Sequence, residues 1–255
     1  MQDTWNPAQY DRFVAERSRP FHDLVALVKP QTPLRVIDLG CGTGALTKIL
    51  HEMLAADETI GVDASANMLQ KAHPLVGNGL QFVSGQIEGE LPDGEFDLII
   101  SNAALHWVPA HDALFAKFRR KLRSGGQLAI QIPAMDTDPV HTLAADTARA
   151  FSNALKGYVH QFEVLAPEQY AHLLYQLGFV EQTVRLQLYG HVLPSRESVL
   201  DWYRGSLLTD YQRRLDAETF EQFVAQYWKA LSLHLKDDRP FFFPYKRILM
   251  WGRLK

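Results

Sequence analysis

Residues 35–63 constrain this chain more than any other stretch. An apolar run, Arg35-Val36-Ile37-Asp38-Leu39, leads into three glycines in five residues, Gly40-Cys41-Gly42-Thr43-Gly44. A helical pattern follows from Ala45 to Leu50, and a second apolar run, Thr59-Ile60-Gly61-Val62, ends on Asp63. The reading is strand, tight turn, helix, strand, with an acid at the second strand's tip. Glycines at such a turn accept φ > 0 and let the backbone approach a ligand without Cβ interference. The helix start adds unpaired N–H groups and about half a positive charge, which welcome an anionic group. Asp63 follows Gly40 at close to the roughly 20-residue spacing of a ribose-binding acid. Its carboxylate can accept two hydrogen bonds from a 2′,3′-diol and would repel a 2′-phosphate.

Two cofactor classes share this layout. Gly40 to Ala45 matches the loose form G-x-G-x-x-(G/A), which admits a nicotinamide dinucleotide. Asp38, however, stands two residues before the first glycine. A pyrophosphate sits badly beside that carboxylate, whereas an ammonium sits well. S-adenosylmethionine carries an ammonium, a carboxylate, a sulfonium and a ribose, and no phosphate. Asp38, Gly40, Gly42 and Asp63 suit it better.

The same residues carry a family resemblance. Val36 to Gly44 resembles the first motif of class I S-adenosylmethionine-dependent methyltransferases, and Gly61-Val62-Asp63-Ala64-Ser65 to Met68-Leu69 the second. Phe96 to Trp107 resembles the fourth-strand motif and its loop. Leu122-Arg123-Ser124-Gly125-Gly126 resembles the turn before the fifth strand, with Ser124 where the family commonly has Pro. A narrower likeness runs along nearly the whole chain. Trp5 to Tyr10, Glu16 to Pro20, Gln131-Ile132-Pro133, Pro139 with His141, Val199 to Ser206 and Phe243 to Arg247 are similar to the trans-aconitate 2-methyltransferase family. That resemblance implies methyl esterification of a small polycarboxylic acid, with S-adenosylhomocysteine as coproduct.

Composition fits a soluble enzyme: 47% hydrophobic, 22% charged, net charge −3. The acidic balance argues against nucleic acid as a bulk partner. A single cysteine excludes an internal disulfide framework, and no apolar stretch approaches the length of a membrane span. A cytoplasmic enzyme, monomeric and without a metal site, is the expectation.

Pattern and resemblance together predict one domain, α/β in class, with a Rossmann-like seven-stranded, mostly parallel sheet, helices on both faces and an antiparallel last strand. Its expected parts are an N-terminal helical segment over the cofactor (1–30), a cofactor-binding core (31–133), the rest of the core (134–194 and 241–255) and a helical cap insertion (195–240). A short helix near 7–16 and a second from Arg19-Pro20 to about Val28 are expected, then a strand over 127–133. One helix over 139–156 and one over 195–208 complete the points tested below.

Further candidates follow from position. Ligands of open parallel sheets lie beyond the strands' carboxyl ends. Gln86 and Ile87, after the third strand, are therefore an adenine amide contact and a ring-packing residue, although the family usually has an acid at 86. Met68 could contact adenine or equally pack in the core, and Ala64 and Asn102 join the cofactor-binding candidates. The resemblance suggests that the N-terminal segment folds over the cofactor, where Arg17 could meet a carboxylate. A carboxylate acceptor titrates near pKa ~4 and needs no general base, only cations, donors and exclusion of water. Tyr10, His106, Trp107, Arg204, Tyr245 and Arg247 are the candidates for holding a small anionic metabolite, with His106 and Trp107 positioning it. Rival readings are methylation of a carrier-bound acyl carboxylate or another metabolite, a NAD-dependent oxidoreductase, and a non-catalytic cofactor-binding module.

Overall fold

The alternation of short apolar runs with amphipathic segments resolves into a wound α/β sheet. The computed structural model describes residues 14–161 and 163–255. Among these the strands are β1 (Arg35–Leu39), β2 (Glu58–Asp63), β3 (Leu80–Ser84), β4 (Phe96–Asn102), β5 (Leu122–Pro133), β6 (Phe179–Leu193) and β7 (Phe241–Leu254). The helices are α1 (Val14–Val25), α2 (Ala45–Leu54), α3 (Ala66–Ala72), α4 (His111–Lys121), α5 (Pro139–Ala150), α6 (Pro167–Gln176), α7 (Glu197–Arg204), α8 (Leu207–Gln212) and α9 (Ala217–Ser232).

The sheet has seven strands in the order β3-β2-β1-β4-β5-β7-β6. β1 to β5 pair in parallel, and β7 runs antiparallel to β5, as the sequence leads one to expect. The order reverses between β1 and β4, the switch point at which such sheets bind ligands. β4 is buried from Phe96 to Ser101, as a central parallel strand covered on both faces must be.

Local chemistry sets several boundaries. The Ser65 hydroxyl caps α3 by accepting from the Met68 amide at 3.2 Å. Asp216 caps α9 by accepting from the Thr219 amide at 2.8 Å. Gly178, at φ +85°, follows the end of α6, the left-handed position that favours glycine. Other boundaries correct the expectation. α1 runs through Pro20 rather than starting there, and beyond it Phe21, Leu24 and Val25 are buried. β5 begins at Leu122, with a register shift opposite Phe96–Leu98 that absorbs the glycine pair. The helix expected over 139–156 ends at Ala150 and continues as turns to Gly157. The one expected over 195–208 breaks at Gly205-Ser206 into α7 and α8, since glycine is a poor helix former.

Packing divides the chain into two compact units. One comprises the described residues of Ala15–Pro133, Glu163–Gln187 and Arg247–Lys255 and holds β1 to β5. The other comprises those of Ala134–Phe162 and Leu188–Lys246, including 195–240. Its core is aromatic, with Trp202, Tyr203, Tyr211, Phe223, Tyr227 and Phe243 buried together. Asp210 is its polar pin. The buried carboxylate accepts from Arg214 at 2.7 Å and from Arg213 and Tyr158, and lies 3.0 Å from His160. Burial pushes its pKa up, but the hydrogen bonds from His160 and Tyr158 and the charges of Arg214 and Arg213 outweigh that and hold it well below the usual range. Among the described residues no helix is long and apolar enough to cross a membrane.

Candidate active site

The first strand tip is shaped by backbone crowding. Gly40 sits at φ +80°, and a Cβ there would lie 2.2 Å from that of Ala104. Gly44, at φ +74°, would meet Phe82 at 2.6 Å. Gly42 differs: at φ +57°, no atom of the described residues lies within 4 Å of where its Cβ would be. Among the described residues the turn is therefore packed on two sides and open on the third. Its amides are partly spent internally, Gly40 and Cys41 both donating to the Val62 carbonyl at 2.8 and 3.1 Å.

Two carboxylates flank that opening. Asp63, at the tip of β2, accepts from the Gly42 amide through one oxygen and from the Ser65 amide through the other, each at 2.8 Å. Asp38 is buried and accepts from the Thr47 hydroxyl at 2.6 Å. Burial raises its carboxyl to about 6; the Thr47 hydrogen bond opposes the shift and the Asp63 charge adds to it. A bound cation would relieve that strain, as an ammonium would and a phosphate would not. The open face at Gly42 and the cation-seeking Asp38 thus fit S-adenosylmethionine. Cys41 is no nucleophile: burial, with the charges of Asp38 and Asp63, pushes its thiol far up.

The loop after β4 faces the same end of the sheet. Asn102 ends the strand with its Oδ1 buried and without a hydrogen-bond partner among the described residues. Ala103 follows at φ +54°, a conformation rare outside glycine, held by its amide donating to the Gln131 carbonyl at 2.9 Å. A 3-10 turn spans Leu105–Trp107, and the rings of His106 and Trp107 lie 4.9 Å apart.

Arg247 lies on β7 opposite Pro133, the last residue of β5. Its Nη1 donates to the Gln131 Oε1 at 3.2 Å, and it is only 3% exposed. Register pairs Asn102 with Gln131 and Pro133 with Arg247. Side chains two apart on a strand share a face, so Asn102, Gln131 and Arg247 form one row. The Gln131 Nε2 is buried and has no acceptor among the described residues.

The other sequence candidates sit as follows. Met68 is buried, Ile87 half-buried, and Ala64 and Gln86 exposed. The Ile87 Cδ1 lies 3.6 Å from the position a Gly40 Cβ would take. Arg204 forms a two-pronged ion pair with Glu221, at 3.0 and 2.8 Å; its cation is already matched. Tyr245 is buried in the second unit's aromatic core, its ring 5.5 Å from that of Trp202. Tyr10 and the Arg17 side chain lie outside the described residues.

Sequence reasoning missed Thr47, Gln131 and the pair His111 and Tyr170. Thr47 lies on α2 at the helical spacing that faces the strand, a signal available in advance. The others act through contacts far apart in the chain. The His111 Nε2 lies 3.0 Å from the Leu105 carbonyl and its Nδ1 2.6 Å from the Tyr170 hydroxyl.

Comparison with known proteins agrees with this geometry. A family model described as a methyltransferase domain matches residues 37–130. The chain is 38% identical to trans-aconitate 2-methyltransferase of Deinococcus radiodurans, covering 96% of each sequence. It is 36% identical to the Streptomyces coelicolor protein of the same name, covering 98% of this chain and 86% of that one. Among solved structures, the YcgJ protein of Bacillus subtilis superposes with a TM-score of 0.63 at 17% identity, over 93% of this chain and 99% of that one.

Proposed function

We propose, from the premise that this chain belongs to the trans-aconitate 2-methyltransferase family, that it forms a methyl ester on trans-aconitate or a closely related small polycarboxylic acid. The chain is an S-adenosylmethionine-dependent methyltransferase. When bound, S-adenosylmethionine supplies a methyl group on a sulfonium, leaving S-adenosylhomocysteine.

The protein's own task is holding and orienting. Asp38 would take the ammonium and Asp63 the ribose diol. Gly40 and Gly42 allow backbone approach, and Asn102 contributes at the amino-acid end. Ala64, Met68, Gln86 and Ile87 would flank the adenine. A carboxylate acceptor, with pKa ~4, is already ionised near neutrality, so no side chain need take a proton. Alignment and dehydration can supply roughly 7–11 kcal/mol of acceleration. His106 is read as a donor to the acid and Trp107 as a wall beside it. The observation that carries the polyacid reading is Arg247, a buried guanidinium oriented by Gln131 at the carboxyl end of β5. A planar fork of N–H groups suits a carboxylate.

The test is transfer of labelled methyl across a panel of di- and tricarboxylic acids. Trans-aconitate should be turned over, with no loss of rate at low pH that His106→Gln abolishes. Failure of every acid, or a His106-dependent limb near the usual imidazole pKa, would contradict the reading.

A further inference from the structure

We propose that His111 and Tyr170 are positioning residues for methyl transfer, acting through the Leu105–Trp107 turn; this rests on the reading of His106 and Trp107 as acid-facing groups. The turn's backbone bonds include those from the Trp107 amide to the Ala104 carbonyl, 3.1 Å, and from the Val108 amide to the Leu105 carbonyl, 3.0 Å. Left-handed alanines flank it, Ala103 at φ +54° and Ala110 at φ +57°. A conformation of that kind persists where surroundings impose it.

The surroundings are the segment Glu163 to Tyr170. The Glu163 carboxylate accepts from the Ala110 amide at 2.8 Å. A carbonyl can only accept, so the His111 Nε2 carries the proton it gives to Leu105. The Nδ1 then accepts from the Tyr170 hydroxyl, whose oxygen accepts from the Leu165 amide at 3.2 Å. Both ring nitrogens are committed and both residues are buried. Tyr170 is seated by stacking on Phe115, ring centres 5.6 Å apart. The imidazole is a strut: it fixes the Leu105 carbonyl, and with it the direction in which the next two side chains project. It does not touch the reacting atoms.

The test uses Tyr170→Phe, which keeps the ring and removes the hydroxyl. His111→Leu removes the strut, and His111→Gln keeps an N–H within reach of Leu105. Steady-state kinetics with the acid that the wild type accepts are paired with amide hydrogen exchange across 103–108. In Tyr170→Phe and His111→Leu, kcat should fall about tenfold and the acid KM rise, since small misplacements are costly. The S-adenosylmethionine KM should stay within about twofold, His111→Gln should recover part of the rate, and the Trp107 and Val108 amides should exchange faster. Lower melting temperature with unchanged kcat and KM would mean support of the fold alone and would overturn the proposal. If the wild type accepts no acid, the polyacid reading fails by itself; exchange then decides, and unchanged protection in Tyr170→Phe overturns the strut.

Discussion

Two parts of the candidate site are built by opposite means. At the tips of β1 and β2, the two carboxylates and their amide donors come from one continuous stretch, Asp38 to Ser65, and much of the work is done by backbone: glycine conformation, amides aimed at Asp63, and a turn packed against Ala104 and Phe82. At the ends of β4, β5 and β7, side chains converge from distant positions. Gln131 meets Arg247 across 116 residues, and His111 meets Tyr170 across 59. On the proposed reading the difference separates two tasks: a cofactor of fixed shape can be held by a local motif, whereas selecting an acid requires charges and donors brought together by the fold.

Arg247→Ala should break the second region alone. Truncating a buried, hydrogen-bonded charge costs roughly 2–5 kcal/mol, here expected in the acid KM and kcat/KM. The affinity for S-adenosylhomocysteine, read by calorimetry, should change less than about twofold on the same affinity scale. Equal damage to both would contradict the division.

Gly40→Ala should break the division itself. Its Cβ would press on Ala104, the start of the β4 loop. Overpacking together with a left-handed alanine should cost roughly 2–4 kcal/mol of stability and raise both KM values. Asp63→Ala comes next: its effect belongs to the cofactor side, at roughly 1.5–3 kcal/mol for each hydrogen bond lost from a charged group. Unchanged affinity would remove Asp63 from the ribose role. Gly42→Ala is the smallest and sharpest. With open space around it, it should cost only about 1–2 kcal/mol of stability from backbone strain, yet obstruct the ligand. Thermal melts that rank Gly42→Ala with Gly40→Ala would contradict the open side.

This asymmetry also explains what could be read from the residues in advance. The glycine turn and both aspartates were legible because each is written within a few residues. The antiparallel last strand was legible from family likeness. Helix ends were less legible: α1 continues through Pro20 although proline usually marks a helix start, and Gly205-Ser206 divides α7 from α8. Partners across the chain were least visible. Nothing near Arg204 announces Glu221, and nothing near His111 announces Tyr170.

Asp38 bears the greatest weight. Burial first, and the Asp63 charge with it, raise its carboxyl to about 6 against the opposing Thr47 bond. The folded chain therefore holds this proton more tightly than the unfolded one, and apo stability should decline as pH rises from the ordinary carboxylate range through about 6. Only the ionised form pairs with an ammonium, so cofactor affinity should move the other way. Calorimetric titration of S-adenosylhomocysteine into wild type and Asp38→Asn, from about pH 5 to pH 8, tests this directly. Wild-type affinity should climb through about pH 6 and then level, while the variant binds weakly with no such step. A variant that keeps wild-type affinity and the same pH profile would contradict the account.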